Sequence, residues 1–419
     1  MKNTGKILLG IFVLMLMFFA LKSVNAQQKD YPDPVKNPES PLMLSGEWVP
    51  DNSANIDFFN LPRIPSLHIV ISNVSAKGIT DYIVDKTYGG VNQHNYLTFF
   101  GGLYWIMWSD GPGVEDRVGQ VVKYATSTDG INWSEPKFLI PYPPHSSPES
   151  PYYNQRNKEG YRFISRGFWV RNNELYALAS FDEAAGLFGK SLELRAFKWD
   201  KVSEKWIDVG VIYKNAINNF PPKQISTGEW LMSRSTNKLD EGNAGISFLV
   251  GGTRSISEWE SFRVGGSDTL FKADEPFWWI LPDGKNIMSL YRDNSHSGFL
   301  YRAFSTDNGR TWSKPVKTNF PDTASKIHGT RLSDGRYVLV SNARPQRPRD
   351  PLVLSISDDG VVFNKMGYLI GGRWVDYPFV MEHDGYLYVA FSGAKQTVEL
   401  LRIDLTDLDK IDMSKMLRN

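Results

Sequence analysis

Residues 328–344 read HGTRLSDGRYVLVSNAR, and this stretch contains the unit on which the fold depends. One strand-like run leads into a turn with Gly335, and a second, apolar run ends in a short polar loop. The unit recurs five more times, beginning at His94, Arg166, Phe220, Glu275 and Tyr377. A unit repeated along the chain indicates a fold assembled from similar structural modules.

Further strand-like runs lie between the copies, among them GQVVKYATS (119–127), SLELRAFKW (191–199) and GFLYRAFS (298–305). Alternating apolar and polar residues with aromatic and β-branched content predict strands, so two further strands complete each unit. We therefore predict an all-β fold, a six-bladed β-propeller of four-stranded antiparallel blades. The run RIPSLHIVI (63–71) is predicted to complete the last blade. A seventh, irregular blade before residue 90, a β-sandwich and a solenoid are the alternatives.

The composition fits one large globular domain. The chain has 419 residues, 41% of them hydrophobic, and a formal net charge of +1. Without a basic excess it lacks the profile of a nucleic-acid-binding protein. It contains no cysteine, which excludes disulfides and thiolate metal sites. No spacing of His, Asp and Glu predicts a metal centre, so we expect no cofactor; a structural cation is the alternative. We also expect a monomer.

The N-terminus resembles a secretory signal peptide. Lys2 and Lys6 precede an apolar run, and small residues end at Ala26. We expect cleavage after Ala26 and a secreted or periplasmic protein without a membrane anchor; a retained anchor is the alternative. The predicted organisation is a signal peptide (1–26), an irregular segment (27–60) and one propeller catalytic domain (61–419).

Three turns carry a motif that resembles the Asp-box of sialidase-superfamily propellers. STDNGRTW (305–312) matches it in full, STDGINW (127–133) is one residue shorter, and SDDGVVF (357–363) is a degenerate copy. In that family the motif is structural: Ser and Asp satisfy backbone N–H groups, Gly takes a positive φ, and Trp packs between blades. Arg63 in RIP also resembles the sialidase arginine that binds the substrate carboxylate.

A second resemblance concerns the substrate. The runs NQHN, SLELRAF, INNFPP, YRDN and EHDGYLYVAFSGAKQTVE are similar to those of secreted Bacteroidetes propellers that act on rhamnose–glucuronate polysaccharides. That group includes ulvan lyases, rhamnose–glucuronate lyases and rhamnosidases. The resemblance implies an anionic oligosaccharide substrate and leaves the reaction open.

Alignment of the repeats predicts which side chains surround the central funnel of the propeller. The residues that begin the inner strands are His94, Arg166, Lys223, Glu275, His328 and Tyr377. The loops that leave the second strands contribute Arg117, Glu183, Arg234, Arg292, His296, Arg344 and Lys395. Other blades have Asp110, Phe181 and Gly393 at the place of the arginines, so the fold does not require a cation there. A basic funnel favours a carboxylate or sulfate ligand.

These residues suit β-elimination on a uronate. A cation neutralises the carboxylate, a base removes the C5 proton, and an acid protonates the leaving group. We predict His94, Tyr377 and His328 as catalytic residues. As substrate-binding residues we predict Arg63, Arg117, Arg166, Lys223, Arg234, Arg292 and Arg344. The product would be a 4,5-unsaturated uronate, formed by a lyase or, if water leaves, by a dehydratase.

Three alternatives stay open. In a retaining sialidase, Tyr377 would be the nucleophile, Glu183 or Glu275 its partner, and Asp81 or Asp85 the acid. The Pro378 and Phe379 that follow depart from the sialidase pattern. A rhamnosidase would use His94 alone. A glycan-binding propeller would need the arginines and aromatic residues but no His/Tyr pair.

Overall fold

The computed structural model of the protein describes residues 30–74, 90–112, 115, 119–140, 162–183, 188–236 and 245–418. The predicted signal peptide, Arg117, Asp81 and Asp85 lie outside these residues. No helix among the described residues is both long and apolar enough to span a bilayer. Within the described ranges, the helical elements are short 3₁₀ turns at Ser53–Asn55, Leu405–Lys410 and Met413–Arg418.

The strands of the described residues form six antiparallel four-stranded sheets, which confirms the predicted six-bladed propeller. The first strand, β1 (Leu67–Asn73), belongs to the last blade. Blade 1 consists of β2 (Gly90–Phe100), β3 (Leu103–Pro112), β4 (Val121–Ser127) and β5 (Lys137–Ile140). Blade 2 consists of β6 (Arg162–Arg171), β7 (Glu174–Asp182), β8 (Glu193–Asp200) and β9 (Lys205–Lys214). Blade 3 consists of β10 (Lys223–Gln224), β11 (Trp230–Arg234), β12 (Ser247–Gly251) and β13 (Trp259–Arg263).

The remaining blades follow in the same order along the chain. Blade 4 consists of β14 (Ala273–Ile280), β15 (Ile287–Asp293), β16 (Phe299–Ser305) and β17 (Val316–Pro321). Blade 5 consists of β18 (His328–Arg331), β19 (Tyr337–Ser341), β20 (Leu352–Ser357) and β21 (Lys365–Ile370). Blade 6 consists of β22 (Val375–His383), β23 (Tyr386–Gly393) and β24 (Thr397–Asp404), completed by β1. The antiparallel pairing of β1 with β24 confirms that the RIPSLHIVI run closes the ring.

The Asp-boxes hold the outer hairpins of their blades, as predicted. In blade 4 the Ser305 hydroxyl accepts a hydrogen bond from the Gly309 amide (2.9 Å), and the Asp307 carboxylate accepts one from the Thr311 amide (2.8 Å). Gly309 has a φ of +85°, which favours glycine. The Trp312 ring stacks 4.2 Å from Phe248 of blade 3 and so fastens the two blades together.

The segment before β1 crosses the outer strands of blades 4 and 5. The Asn319 side chain accepts hydrogen bonds from the amides of Met43 (2.7 Å) and Leu44 (2.8 Å). Arg302 is fully buried and donates to the carbonyl groups of Ser40 (2.5 Å) and Leu42 (2.8 Å). These bonds satisfy backbone groups of a segment that otherwise pairs with blade 5 only through isolated bridges, such as Leu44 with Phe363 and Arg63 with Tyr368.

Candidate active site

A β-bulge interrupts the inner strand in four of the six described blades, and each bulge contains a residue that the repeat alignment assigned to the funnel. The pairing registers skip between Gln93 and Tyr96, Ser165 and Gly167, Asp274 and Phe277, and Asp376 and Phe379. The skipped residues include His94, Arg166, Glu275 and Tyr377. A bulge adds one or more unpaired residues to a strand and redirects a side chain, which is why bulges are frequent beside active sites.

Three of the bulge residues have an unusual backbone conformation. His94, Glu275 and Tyr377 have φ values of +56°, +43° and +56°. This region is uncommon for residues with a Cβ, and such strain clusters at functional sites. Pro276 and Pro378 follow two of them and lack an N–H, so the bulge leaves no ladder donor unpaired at those positions.

The bulges of blades 1 and 6 bring His94 and Tyr377 together. Their ring centroids lie 4.6 Å apart, and both side chains are buried. Glu115, in the loop after β3, completes the group: the Tyr377 hydroxyl donates to its Oε1 at 2.9 Å, and His94 Nε2 lies 3.8 Å from the same oxygen. Lys395 of blade 6 donates to the other carboxylate oxygen. One carboxylate thus orients the hydroxyl and is itself held by a cation.

The environment sets the protonation of these three groups. Burial alone would raise the pKa of Glu115, but Lys395 and the Tyr377 hydrogen bond lower it below its usual value, so the carboxylate is ionised. Burial, reinforced by Glu115 and Glu275, raises the pKa of Tyr377 well above its usual value. Burial lowers the pKa of His94 well below 6.5, and Lys326, Arg166, Lys395 and Arg292 lower it further. At neutral pH the site therefore contains a neutral imidazole, a neutral phenol and an ionised carboxylate.

Two arginines on neighbouring blades, the partly buried Arg292 and the buried Arg349, are paired with carboxylates. Arg292 donates to Asp274 (3.1 Å) and Glu275 of blade 4 and to Asn294 (3.0 Å). Arg349, in the loop after β19, donates to Asp376 (2.9 Å) of blade 6, and its guanidinium lies 5.7 Å from the centroid of the Tyr377 ring.

Two further cations, Lys326 and Arg166, lie near Tyr96, which follows His94 by two residues. Lys326 donates to the Tyr96 hydroxyl (2.7 Å), and its ammonium lies 4.6 Å from the centroid of the Phe220 ring. Arg166 donates from Nε to Ser180 (2.7 Å) and also influences the Tyr96 hydroxyl electrostatically. Lys326 forms no ion pair with a carboxylate in the described part of the chain. Because its charge is the least compensated of the cations in the cluster, Lys326 is a candidate for contact with an anionic ligand.

Two groups of the cluster titrate near neutral pH. Burial lowers the pKa of Lys326 to about 7, against the opposing effect of Glu275. Burial raises the pKa of Asp322 to about 7, although Arg292 and Arg349 oppose it. Oδ1 of Asp322 is buried without a hydrogen-bond partner in the described structure. The charge of the site therefore changes across the neutral range.

The other predicted site residues lie apart from this cluster or beneath it. His328 accepts a hydrogen bond from the Val380 amide at Nδ1 (2.9 Å) and stacks on Phe379 with 4.1 Å between centroids. Burial lowers its pKa well below 6.5. Lys223 lies over the Phe277 ring at 4.6 Å, and burial lowers its pKa to about 8. His328 is thus buried in the core, whereas Lys223 is partly exposed beside the same rings.

The three remaining predicted arginines point to different surroundings. Arg63 is exposed and lies over the Tyr368 ring of β21 (3.9 Å). Arg234 donates to the Asn215 carbonyl (2.9 Å) and lies 5.3 Å from the centroid of Tyr213. Arg344 donates to the Asp350 carbonyl (3.2 Å). The described contacts of Arg63, Arg234 and Arg344 are with Tyr368, Tyr213, Asn215, Asp350 and Phe59 rather than with His94 or Tyr377.

Four residues of the cluster are additions to the predicted set: Glu115, Asp322, Lys326 and Arg349. Glu115 and Arg349 belong to the same loops as the predicted Arg117 and Arg344, and Lys326 lies two residues before His328. Among the described residues, no three His, Asp or Glu side chains come together in an arrangement that could hold a metal ion.

Comparisons with known proteins identify the class to which this architecture belongs. The family model described as a BNR repeat-like domain matches residues 203–389. No curated protein sequence matches the chain. The fold is similar to that of a leech intramolecular trans-sialidase, solved with 2,7-anhydro-Neu5Ac, at 13% identity and a TM-score of 0.60, covering 78% of this chain and 70% of that one.

Other solved structures have a similar fold. The sialidase of Trypanosoma rangeli, solved with sialic acid, has a TM-score of 0.55 at 13% identity, over 84% of this chain and 59% of its own. A protein of unknown function from Dyadobacter fermentans has a TM-score of 0.58 at 14% identity, over 82% of this chain and 100% of its own. A further sialidase is 18% identical with a TM-score of 0.56 over 82% of this chain, which spans only 33% of that protein. The chain therefore has the six-bladed propeller fold of sialidases.

Proposed function

We propose that the protein is a carbohydrate-active enzyme, a glycoside hydrolase that releases a terminal acidic sugar through the Tyr377–Glu115 pair. The observation that carries this proposal is the 2.9 Å hydrogen bond from the Tyr377 hydroxyl to the ionised Glu115 carboxylate. A hydroxyl nucleophile needs an adjacent base, and the base needs a third group that orients it. Lys395 is that third group.

The proposed reaction has two steps. The Tyr377 oxygen attacks the anomeric carbon of the terminal sugar, Glu115 accepts the phenol proton, and the aglycone oxygen leaves with a proton from an acid. Water then attacks the same carbon and gives a proton to the conjugate base of that acid, the C–O bond to Tyr377 breaks, and the phenol regains its proton from Glu115. The stereochemistry is retained because two displacements occur at one carbon.

The charge distribution supports an acidic sugar as the substrate. Four cations, Lys326, Arg166, Lys395 and Arg292, act on His94, and an anion placed beside the imidazole would experience the same positive potential. Lys326 has no carboxylate partner in the described structure, so it is available for the sugar carboxylate. Solved structures with this fold include sialidases, whose substrate is an acidic sugar, which supports the same class.

Elimination, favoured by the sequence, is the second candidate, and the contact between His94 and Tyr377 supports it. A neutral imidazole can accept the C5 proton of a uronate, and a neutral phenol can protonate the leaving oxygen. The product would be a 4,5-unsaturated uronate, from a lyase or a dehydratase. The pKa of His94 is lowered well below 6.5, which makes it a weak base in the free protein. The pKa of Glu115, the base in hydrolysis, is also lowered, so the ranking rests on geometry: hydrolysis ranks first because the Tyr377 hydroxyl already donates to Glu115 at 2.9 Å.

Turnover in H₂¹⁸O separates the two reactions. The purified protein, lacking residues 1–26, is incubated with oligosaccharides that end in sialic acid or in glucuronate linked to rhamnose, and the products are analysed by mass spectrometry. Hydrolysis places one ¹⁸O atom on the anomeric carbon of the released acidic sugar. Elimination yields an unlabelled product with the ultraviolet absorbance of an unsaturated uronate. Labelled sugar supports the first candidate, and unlabelled unsaturated sugar replaces it with the second.

We also propose that the protein acts outside the cytoplasm after removal of residues 1–26. The two lysines, the apolar run and the small residues before Ala26 support this. N-terminal sequencing of the protein from the periplasm or medium of an expressing bacterium should begin at Gln27. A full-length N-terminus in the membrane fraction would contradict it.

A further inference from the structure

A cavity of about 460 Å³ lies between the segment 54–59 and the loop after β19. This volume falls in the range of roughly 300–1,000 Å³ that is typical of small-ligand sites. One wall is formed by Phe58 and Phe59, and the opposite wall by Arg344 and Gln346. The cavity contains none of the residues of the His94–Tyr377 cluster.

The walls have the chemistry of a sugar-binding site. The Phe59 side chain is 43% exposed, and the Arg344 guanidinium carbon lies 5.7 Å from the centroid of its ring. An aromatic face packs against the C–H face of a pyranose, while amide and guanidinium groups bind its hydroxyl and carboxylate oxygens. Asn55 and Gln346 supply such amides.

The cavity lining contains one cation, Arg344, and one carboxylate, Asp57. Arg344 donates from Nη1 to the Asp350 carbonyl (3.2 Å) and has no carboxylate within 4 Å in the described structure. Asp57 accepts hydrogen bonds from the Phe59 amide (3.2 Å) and the Asn60 side chain (2.7 Å) and keeps its charge. Because Arg344 and Asp57 form no ion pair, the guanidinium keeps donors for the carboxylate or sulfate of an acidic unit.

The segment that lines the cavity is anchored at one end to blade 4. Ser53, at the start of the lining segment, donates to the Asn319 carbonyl (2.5 Å), and the same asparagine binds Met43 and Leu44 through its side chain. Preformed walls reduce the entropy lost on binding.

One loop connects the cavity to the cluster. The residues between β19 and β20 place Arg344 in the cavity wall and Arg349 beside the Tyr377 ring. The carbonyl that accepts from Arg344 belongs to Asp350, the neighbour of Arg349. A ligand in the cavity and a sugar at Tyr377 would thus contact the same short loop.

We infer that the cavity is a subsite for a second, negatively charged sugar unit of the oligosaccharide whose terminal unit reacts at Tyr377; this inference rests on the proposed function. The enzyme would then recognise an acidic oligosaccharide rather than a single acidic sugar. Arg344 binds the carboxylate or sulfate of the second unit, and Phe59 packs against its ring.

The test compares substrates in the variants Arg344→Met and Phe59→Ala. The substrates are an aryl glycoside of the acidic sugar, which has no second unit, and two oligosaccharides whose second unit is acidic or neutral. Arg344→Met should lower kcat/KM for the doubly acidic oligosaccharide by about tenfold, the value of one charge-assisted hydrogen bond, and change the other two less than twofold. Phe59→Ala should lower kcat/KM for both oligosaccharides and leave kcat/KM for the aryl glycoside unchanged.

Arg331→Met is the matched control. Arg331 is exposed and lies over the Tyr337 ring (5.6 Å) in the same blade, outside the cavity lining. Arg331→Met should leave kcat/KM for all three substrates unchanged. The melting temperatures should show that every variant folds. Equal losses on the aryl glycoside and the oligosaccharides, or no loss in Arg344→Met, would overturn the inference while leaving hydrolysis intact.

A binding measurement separates this failure from failure of the proposed function. If no acidic glycoside reacts, the proposed function is wrong, and calorimetric titration with an acidic disaccharide still tests the cavity. Weaker binding to Arg344→Met than to the parent protein supports the subsite, and equal binding, or none to either, overturns it.

Discussion

Tyr377 and Glu115 are far apart in the sequence and are joined by a 2.9 Å hydrogen bond between the neighbouring first and last blades. The tyrosine comes from the bulge of the last blade, and the glutamate comes from the loop after β3 in the first. The ring closure that pairs β1 with β24 also fixes the register of blade 6. Closure of the propeller and assembly of the Tyr377–Glu115 pair are therefore structurally linked.

Removal of the Tyr377 hydroxyl should abolish hydrolysis. Tyr377→Phe keeps the ring contact with His94 but has no nucleophilic oxygen, so kcat should fall at least about a thousandfold. Tyr386→Phe, at the opposite end of the same hairpin, is the matched control and should retain full activity. Steady-state kinetics and thermal melting of both variants test this. Activity of Tyr377→Phe within tenfold of the parent would exclude the tyrosine as nucleophile.

Binding of the acidic sugar should weaken as the pH rises through 7. The Lys326 ammonium, whose pKa is lowered to about 7, is protonated below that pH and neutral above it. Asp322, whose pKa is raised to about 7, gains a negative charge over the same range, so both changes oppose an anion. The groups that face Lys326 are Tyr96, Arg166, Asp274, Glu275, Arg292 and His94.

Two variants assign this pH dependence. The arginine in Lys326→Arg stays charged between pH 6 and 8, so KM should rise less over this range than in the parent protein. Adding Asp322→Asn should remove the remaining rise of KM. The methyl ester of the substrate, which has no carboxylate charge, serves as the control and should show little dependence in any variant. A KM profile of Lys326→Arg that matches the parent would exclude Lys326 as a contact of the carboxylate.

Closure of the ring should depend on a buried carboxylate. Glu399 on β24 accepts hydrogen bonds from Arg373 (2.8 Å), from His68 of β1 (2.5 Å) and from Thr397 (2.5 Å). Burial alone would raise the pKa of Glu399, but Arg373 and Thr397 lower it below 4.5. Because the folded pKa is depressed, this stabilisation is present above the unfolded pKa and disappears as the pH falls through the folded value.

Glu399→Gln should therefore lower the free energy of unfolding by about 1–3 kcal/mol at pH 7 and by less at pH 3. Denaturant titrations at the two pH values measure the difference. Glu258→Gln removes the acid of an exposed pair with Arg254 and should change the stability by less than about 0.5 kcal/mol. An equal effect of Glu399→Gln at both pH values would contradict the assigned role of its charge.

The repeat pattern made the fold and part of the site predictable. Each copy has the same order of strands, so residues that begin the inner strands could be aligned without a structure, and the bulges occur at four of these six positions. The contacts of the arginines in the loops after the second strands were less predictable. Their loops differ in length: Arg292 joins the cluster through its ion pairs with Asp274 and Glu275, whereas Arg234 and Arg344 donate to the backbone carbonyls of Asn215 and Asp350.

Glu115, Lys326 and Arg349 could not be selected from the sequence, because their importance arises from contacts between blades. Lys326 meets Tyr96 of blade 1, Arg349 meets Asp376 of blade 6, and Glu115 meets Tyr377 of blade 6. Charged residues in loops are common, and spacing along the chain does not indicate which of them meet across a ring.

His94→Gly distinguishes hydrolysis from elimination. Glycine adopts the φ of +56° without strain, and the Ser165 hydroxyl can still donate to the backbone carbonyl of residue 94 (2.6 Å). The melting temperature should therefore change by only a few degrees. If Tyr377 is the nucleophile, its pair with Glu115 persists, and turnover should fall by roughly 10–100-fold because only positioning is lost. If His94 is the base of an elimination, turnover should fall by about 10²–10⁴-fold, to the level of the double variant with Tyr377→Phe. Turnover of His94→Gly well above that of the double variant supports hydrolysis, and equal turnover of the two contradicts it.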